Sequence, residues 1–440
     1  MNLSLQDRSE ELHAFSIDRD SVQQARLDLI GRQRRSLYPW RGQFSPGLVD
    51  VLLEAHAVEG KAILDPFVGS GTTLFESSRR SLECYGAEVN PAAIQLARMA
   101  RFCMLPGEQR RDVCQSAIEL FERYFASLLP ASLLRPRREG ESNDAVDCAR
   151  KMLEATGDNT ALYDFLASSV MLAMGDGDLL AAEKLENALC RNAAVVRELP
   201  LTTKGVTACL SDARRLSLPS DHVDLVITSP PYINVFNYHQ NYRKAVELMG
   251  WGVLKAARSE IGSNRKHRSN RFLTVIQYCM DVAQVLHETR RVLRPDGVAI
   301  FVVGRESRVR GLPFNNGHLL ALLAVSGGGF RLDRWQERRF ANRFGVTICE
   351  DILSLHPSGH ACGDPVSLGR EVGVMALRGV LDLADHDVLV CVERAIDESG
   401  AVDPSPPFAA TSARLSASSP PWAESRESPP CLAAQAWSVD

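Results

Sequence analysis

Short apolar runs recur along the chain, and glycine, proline or polar residues follow each of them. Such runs occupy Ala62–Leu64, Cys84–Ala87, Val206–Leu210, Val223–Ile227 and Val298–Val303. Runs of this length are typical of strands that are buried in a parallel sheet. Because helical patterns stand between such runs, the sequence predicts an α/β fold with a doubly wound, mostly parallel sheet.

The remaining periodic segments predict further helices and the edge of the sheet. Arg271–Leu293 has the spacing of an amphipathic helix, which we expect to end at the turn residues 294–297. Arg331–Phe340 and Val346–Leu355 are predicted to be antiparallel strands that close the sheet, and Leu368–Ile396 is predicted to be helical.

These patterns divide the chain into six segments. The stretch 102–200 is rich in Ala and Leu with helical spacing, and its role as a target-recognition unit, lid, oligomerisation surface or structural cap stays open. Pro, Ser and Ala dominate after Asp397, which predicts a disordered tail. The segments are an N-terminal helical segment 1–36, a first α/β half 37–101, the insertion 102–200, a second α/β half 201–360, a C-terminal helical segment 361–396 and the tail 397–440.

Composition narrows the class of protein. The chain has 440 residues, of which 45% are hydrophobic and 24% charged, as is ordinary for a soluble globular protein. No apolar run reaches membrane-spanning length, the first residues show no signal-peptide pattern, and the eleven cysteines form no Cys-x-x-Cys pair. We therefore expect a cytoplasmic protein.

His356, His360 and Cys362 have no second cluster of ligands to join them, so we expect no metal site.

Charge is unevenly distributed, although the net charge of −4 does not itself indicate a nucleic-acid-binding protein. From Lys255 to Arg310, twelve basic residues stand against five acidic ones. Basic residues interleaved with amides and aromatic rings suit contact with phosphates and base edges. The candidate nucleic-acid-binding residues are Tyr238, Arg258, Arg265, Lys266, Arg268 and Arg271.

The first apolar run leads into a glycine-containing turn and then into a helical pattern. The turn is Asp65-Pro66-Phe67-Val68-Gly69-Ser70-Gly71-Thr72-Thr73. In this arrangement Gly69 and Gly71 let the backbone approach a ligand closely, and Thr72 or Thr73 can cap the helix. Glu88 ends the next strand, where a carboxylate can accept hydrogen bonds from both hydroxyls of a ribose. Neither the P-loop lysine nor the dinucleotide glycine spacing is present.

A second motif, Thr228-Ser229-Pro230-Pro231-Tyr232, directly follows the run Val223–Ile227. The two prolines have no amide hydrogen and a fixed φ, so they stiffen the turn. Carbonyl groups and the hydroxyl of Ser229 are then left as hydrogen-bond acceptors beside the aromatic ring of Tyr232. Such a rigid set of acceptors suits a flat heterocycle that carries an exocyclic amine.

The two motifs together resemble those of S-adenosylmethionine-dependent DNA amino-methyltransferases. The Ser-Pro-Pro-Tyr form is typical of the cytosine-N4 branch of that family, and the order of the motifs resembles a circularly permuted member. The resemblance covers roughly 38–100 and 205–355. It implies a Rossmann-like class I methyltransferase fold, in which 37–101 is the cofactor-binding half and 201–360 the catalytic half. It further implies S-adenosylmethionine as cofactor and DNA as partner. It also implies a restriction-modification or phage-defence role, with a cognate restriction nuclease where one exists.

The resemblance also implies roles for single residues. The segment before the glycine turn would close over the methionine end of the cofactor through Phe44 and Ser45, unless that loop packs its aromatic side chains on the core. Asp212, after the run Val206–Leu210, would bind the amino group of the cofactor's adenine. The implied cofactor-binding residues are Phe44, Ser45, Asp65, Phe67, Gly69, Gly71, Thr72, Glu88 and Asp212, and the implied catalytic residues are Ser229, Pro230, Pro231 and Tyr232.

We therefore expect methyl transfer to the N4 amine of cytosine in DNA. The oxygen of Ser229 and the carbonyl of Pro230 would accept hydrogen bonds from the amine, and Tyr232 would stack on the ring. Adenine-N6 methylation is the nearest alternative, because the same acceptors fit an adenine amine. An RNA or protein-amide methyltransferase, and an idle DNA-binding subunit on the same scaffold, also stay open.

Overall fold

The computed structural model describes residues 3–30, 35–57, 59–125, 128, 141–177, 179–233, 238–263, 267–341 and 345–408. Its strands are β1 Ala62–Asp65, β2 Glu83–Glu88, β3 Val206–Leu210, β4 Val223–Thr228, β5 Leu293–Gly304, β6 Glu306–Val309, β7 Leu312–Asn315, β8 Phe330–Ala341 and β9 Thr347–Pro357. We call residues 228–232 the catalytic turn, after the role that the family resemblance implies for them. The four apolar runs before this turn and the two closing strands all lie where the sequence predicted strands.

Fifteen α-helices surround these strands in the described residues. They are α1 Leu5–His13, α2 Gln24–Leu27, α3 Pro46–His56, α4 Thr72–Arg79, α5 Pro91–Ala97, α6 Gly107–Phe125, α7 Glu141–Glu154, α8 Thr160–Met174, α9 Ala182–Glu198, α10 Arg243–Leu248, α11 Val253–Ser259, α12 Leu273–Val292, α13 Asn316–Ser326, α14 Pro365–Arg378 and α15 His386–Asp397. Within the described residues, no helix combines the length and apolar character needed to span a bilayer.

Seven strands form one sheet in the order β3-β2-β1-β4-β5-β9-β8. The first five run parallel, and β9 lies antiparallel between β5 and β8. The strand order reverses between β1 and β4, and open α/β sheets bind ligands beyond the carboxyl ends of the strands at such a switch point. This is the predicted doubly wound sheet with an antiparallel closing strand, and the Rossmann-like methyltransferase fold is thereby confirmed.

The two faces of the sheet bury two separate clusters of apolar side chains, because successive strand residues point to opposite faces. Ile63, Leu225 and Ile300 belong to one cluster, whereas Leu64 and Val226 belong to the other. Helices α3, α4, α5 and the insertion helices α6 to α9 contribute to the first cluster. Helices α12, α13 and α14 contribute to the second.

The insertion is helical where the structure describes it, and it packs on the sheet rather than standing apart. Phe125 and Phe165 are buried in the first apolar cluster. Asn192 of α9 forms a buried hydrogen-bond network, donating to Ser168 at 2.8 Å and accepting from the hydroxyl of Tyr38 at 2.7 Å. This contact fixes the segment before the glycine turn against the insertion.

The predicted amphipathic helix is instead buried almost all round. Most residues of α12 are shielded from solvent, because α14 covers the side that the sequence pattern left for water. The two helices approach closely at Gly373, where a Cβ atom would lie 2.7 Å from the Cα of Ile276. The helix ends at Val292, directly before residues 294–297 as predicted, and these residues form an irregular part of β5 opposite Asp224.

The start of the predicted disordered tail is folded, contrary to the sequence prediction. A short 3-10 helix spans Glu398–Ala401, and the chain then continues through the buried residues Val402, Ser405 and Phe408. Composition misled here, because hydrogen bonds with the α/β core, among them those from the amides of Ser405 and Phe408, hold a segment whose prolines and serines predict disorder. Residues 409–440 lie outside the described part of the chain.

Candidate active site

A cleft of about 850 Å³, its open mouth included, lies at the carboxyl ends of the parallel strands. Strands β1, β2, β3 and β4 each contribute the residues that follow them, as expected for a switch-point site. Nine predicted site residues line the cleft: Phe44, Phe67, Gly69, Thr72, Glu88, Asp212, Ser229, Pro231 and Tyr238. Sequence segments that are far apart therefore meet at one site.

The glycine turn adopts the backbone that its two glycines allow. Gly69 has φ +52° and Gly71 has φ +94°, both in the left-handed region that favours glycine. A Cβ atom on Gly71 would lie 2.8 Å from the Cα of Ala97, so Gly71 does not line the cleft but lets α4 and α5 approach each other. The expected cap by a threonine was wrong, because Gly71 itself is the N-cap residue of α4.

Asp65 does not line the cleft; it links the two motifs. Its carboxylate accepts hydrogen bonds from the hydroxyl of Thr228 at 2.6 Å, from Thr73 at 2.6 Å and from the amide of Phe67 at 3.0 Å. Burial raises the pKa of Asp65 to about 6, although these hydrogen bonds oppose the shift. The glycine turn and the catalytic turn are thus held together by one buried carboxylate.

Glu88 is oriented by backbone amides at the end of β2. One carboxylate oxygen accepts from Val89 and Asn90, each at 2.9 Å, and the other accepts from Gly69 at 3.2 Å. Burial raises the pKa of Glu88 to about 7, and the nearby carboxylate of Glu260 adds to this effect. The oxygen bonded to Gly69 keeps a lone pair with which it can accept a further hydrogen bond.

In the catalytic turn, Ser229 and Pro231 line the cleft, while Pro230 is buried and Tyr232 lies to one side. The Tyr232 ring packs against Gly304, where a Cβ atom would lie 3.0 Å from the ring. Its hydroxyl lies 3.3 Å from the hydroxyl of Ser229. Burial raises the pKa of Tyr232 above its ordinary value. Its hydroxyl contact therefore orients Ser229, and the ring does not form part of the cleft wall in this structure.

Two distant segments cover the cleft, and we call them the roof: residues 38–44 and 238–242. The rings of Trp40 and Tyr242 stack at 6.3 Å, and the hydroxyl of Tyr242 donates to the carbonyl of Pro39 at 3.0 Å. Asp176, in the loop after α8, accepts from the amide of Tyr242 at 3.1 Å and from Arg41 at 2.8 Å. The insertion thereby holds both halves of the roof. Ser45 begins α3 beside the roof and does not line the cleft.

Sequence reasoning missed the buried pair His239 and Glu260. The Glu260 carboxylate accepts from the His239 amide at 2.7 Å and lies 2.8 Å from the ring Nδ1. Glu260 lines the cleft together with its neighbours Ser259 and Ile261. No motif marks this pair, because its members are 21 residues apart and meet only through the fold. Tyr238, expected to contact DNA, lines the same cleft, and burial raises its pKa to about 12.

Many basic residues of the stretch 255–310 are engaged in ion pairs. Arg291 binds Glu288 at 2.6 Å, Arg294 binds Asp224 at 3.0 Å and Arg305 binds Asp351 at 2.6 Å. The local excess of basic residues in the sequence therefore overstated the charge available to phosphates. Of the predicted DNA contacts, Arg258, Arg268 and Arg271 are exposed, and Arg265 and Lys266 lie outside the described residues.

Comparisons with known proteins agree with this site. Residues 24–99 match the N6_N4_Mtase family model, described as DNA methylase. The chain is 33% identical over 87 residues to the type II methyltransferase M.MjaII of Methanocaldococcus jannaschii, and the match covers 19% of this chain and 16% of that protein. The matched family segment contains the glycine turn and Glu88 but ends before the catalytic turn.

Solved structures of low sequence identity are also similar to this chain. A SAM-dependent methyltransferase from Methanosarcina mazei is 12% identical, with 70% of this chain and 96% of that chain covered and a TM-score of 0.32. The rRNA methyltransferase aviRa from Streptomyces viridochromogenes is 15% identical, with 82% and 97% covered and a TM-score of 0.26. Because these TM-scores are low, we assign the fold from the strand order of the sheet and not from the similarity to these structures.

Proposed function

We propose that this protein transfers a methyl group from S-adenosylmethionine to an exocyclic amine of a DNA base, with the N4 amine of cytosine as the acceptor. The observation that carries the proposal is the hydrogen bond from Thr228 to Asp65 at 2.6 Å. It joins the glycine turn to the catalytic turn, so that Gly69, Glu88 and Ser229 line one cleft. The similarity of 24–99 to DNA methylases supports the same reaction class.

The cleft fits the proposed cofactor. The carboxylate of Glu88 is held by three backbone amides and retains acceptor capacity for a ribose hydroxyl. The backbone of Gly69 lies beside it without a side chain to block the approach of a ligand. When bound, S-adenosylmethionine would supply a methyl group on a sulfonium: a bond would form between the amine nitrogen and the methyl carbon, the carbon–sulfur bond would break to leave a neutral thioether, and one amine proton would be released to solvent.

The residues of the chain have modest chemistry to perform, because the reaction depends mainly on alignment. The hydroxyl of Ser229 would accept a hydrogen bond from the attacking amine, and the adjacent Tyr232 hydroxyl, 3.3 Å away, would hold that hydroxyl in place. The roof would exclude water from the cleft. We propose that Pro230 and Pro231 keep the turn rigid, so that the acceptor stays at a fixed distance from the methyl group.

Substrate DNA would be held by exposed arginines, which are Arg258, Arg268 and Arg271. A base inside a duplex cannot reach the cleft, so the enzyme would have to flip it out at a cost of about a few kcal/mol. Contacts with phosphates would offset part of that cost.

The choice of cytosine over adenine rests on Ser229, since the Ser-Pro-Pro-Tyr form is typical of cytosine-N4 enzymes. Adenine N6 is the second candidate, because the family model that matches 24–99 is named for both amines. A restriction or phage-defence role is proposed from the similarity to a type II methyltransferase over 87 residues. That role would include a cognate restriction nuclease.

The test is to incubate the protein with duplex DNA and labelled S-adenosylmethionine and to identify the modified nucleoside by mass spectrometry. We expect N4-methylcytosine. Ser229→Ala should lower the rate at least about tenfold, the equivalent of one lost hydrogen bond in the transition state. Ser220→Ala, at an exposed serine outside the cleft, is the matched control. N6-methyladenine would overturn the base assignment, and the absence of label in DNA would overturn the substrate.

A further inference from the structure

A buried network of charged side chains extends inward from one wall of the cleft, which Asp212 lines. Arg214 donates to both oxygens of Asp212, at 2.9 and 2.7 Å, and to Asp281 of α12 at 3.0 Å. The side chains of all three residues are at most 2% exposed. Two carboxylates around one guanidinium leave a net negative charge that needs further donors in a buried place.

The C-terminal segment Val402–Phe408 supplies those donors. The amide of Ser405 donates to Asp281 at 2.8 Å, and its hydroxyl donates to the other oxygen of the same carboxylate. The amide of Phe408 donates to Asp212 at 2.7 Å. Arg214 in turn donates to the carbonyl of Ser405 at 2.6 Å, and Ser405 is 1% exposed. The segment is therefore built into the network rather than lying on the surface.

The carboxylate of Asp212 is fully occupied by these contacts. One oxygen accepts from the amide and the Nε of Arg214, and the other accepts from Nη2 of Arg214 and from the amide of Phe408. A carboxylate offers about four lone-pair sites, so no site is left for an amine of a ligand. The role expected for Asp212 from the family resemblance, acceptor for the adenine amine, conflicts with this arrangement.

The same network holds two pieces of the cleft wall. Ser211 and Ala213, on either side of Asp212, line the cleft. Ser259 lines it as well, and its carbonyl accepts a hydrogen bond from Arg214 at 3.4 Å. One guanidinium thus connects the segment after β3, the last residue of α11 and the C-terminal segment.

We propose that Val402–Phe408 is an integral part of the cofactor site, in which Ser405 and Phe408 act through Asp212, Arg214 and Asp281 to position the cleft wall. Asp212 is then a positioning residue and not the acceptor of the cofactor's amine. This inference rests on the proposed function, because it takes S-adenosylmethionine to be the ligand of the cleft.

Two truncated chains test the inference. A chain that ends after Phe408 keeps the whole network, whereas a chain that ends after Ala401 loses every contact of the segment. We expect the longer chain to bind S-adenosylmethionine as the full chain does, and the shorter one to bind at least tenfold more weakly in calorimetry. Hydrogen exchange should be faster in the shorter chain at the amides of 211–214 and 259–261. Equal affinity of both chains would overturn the inference, and so would tighter binding by the shorter chain.

A point variant covers the case in which the shorter chain fails to fold. Ser405→Ala removes the hydroxyl donor to Asp281, and Ser399→Ala, in the 3-10 turn just before the segment, is its control. We expect Ser405→Ala to raise the KM for S-adenosylmethionine about threefold or more, with the KM for DNA unchanged, because one buried hydrogen bond is lost. Unchanged KM values for both substrates would refute the positioning role.

The experiment separates the two proposals. If the full chain binds no S-adenosylmethionine, the proposed function fails. Hydrogen exchange in the two truncated chains then decides whether the segment positions the cleft wall, since that measurement needs no ligand.

Discussion

Two buried carboxylates at this site have different tasks, and their surroundings show why. Asp65 does not line the cleft, and its donors come from the glycine turn, α4 and β4, so it acts as a structural link. Glu88 accepts only backbone amides and faces the cleft, so its remaining lone pair is directed at a ligand. At the scale of single residues, hydrogen-bond partners distinguish the two roles better than residue type does.

The raised pKa of Glu88 predicts a pH-dependent affinity for S-adenosylmethionine. Burial places this pKa at about 7, so the carboxylate is mostly protonated at lower pH and ionised at higher pH. In the neutral form the proton would occupy the lone pair that the backbone amides leave, so only the ionised form can accept a further hydrogen bond from a ribose hydroxyl. We therefore expect the Kd to fall roughly tenfold as the pH rises by two units across this pKa. Calorimetry at each pH measures the Kd for S-adenosylmethionine.

Glu88→Gln should bind more weakly and show no such pH dependence, because a carboxamide does not titrate. Glu83→Gln, at the opposite end of the same strand, is the control and should keep the wild-type profile. A flat profile for the wild-type protein would contradict the assignment of Glu88.

At the scale of elements, the insertion contacts the roof through α9, where Asn192 binds Tyr38, and through the loop between α8 and α9. Asp176, between α8 and α9, binds one residue from each half of the roof. The helices themselves are buried against the first face of the sheet. The sequence left several roles open for the insertion. This arrangement favours the role of a structural cap, which holds the roof in place, more than that of a target-recognition domain.

Asp176→Ala should therefore weaken cofactor binding without unfolding the protein. The variant loses one hydrogen bond to the Tyr242 amide and one exposed ion pair with Arg41. Their combined contribution of about 1–2 kcal/mol corresponds to a KM for S-adenosylmethionine that is raised roughly five- to thirtyfold. Asp147→Ala removes an exposed ion pair with Arg150 on α7 and serves as control. An unchanged KM in the Asp176 variant would show that the roof does not need the insertion.

At the scale of the whole molecule, the fold uses much of the positive charge internally. Arg291, Arg294 and Arg305 each bind a carboxylate, although all three lie in the stretch that is most basic in the sequence. The exposed arginines Arg258 and Arg268 carry the proposed contact with DNA. A counterion-release argument then applies to these residues and not to the total charge.

The salt dependence of DNA binding tests this distinction. Arg258→Ala should weaken binding to any duplex and reduce the slope of log K against log salt by about 0.9, the value for one lost phosphate contact. Arg331→Ala is the control, because Arg331 binds Asp333 at 3.0 Å and is 57% exposed. Fluorescence anisotropy over a salt series measures both slopes. Equal slopes for wild type and Arg258→Ala would remove this face from the proposed DNA site.

The sequence alone was sufficient for the sheet and for the ligand-facing ends of its strands. Local patterns predict strands well when β-branched runs end in glycine or proline, as at Asp65 and Ser229, because both the run and its turn are encoded within about ten residues. Glu88 followed from the same logic, since parallel strands end at one edge of the sheet. Strands and the residues that end them therefore do not depend on contacts with distant parts of the chain.

Only the tertiary structure decided which side chains share a contact across the chain. Asp65 and Thr228 are 163 residues apart, and Asp212 and Phe408 are 196 residues apart, so no local pattern relates them. The C-terminal segment was misjudged because its composition predicts disorder, whereas a buried carboxylate network supplies the energy that orders it. Hydrophobic periodicity reflects only the local sequence, whereas hydrogen bonds between buried polar groups depend on which residues the fold brings together.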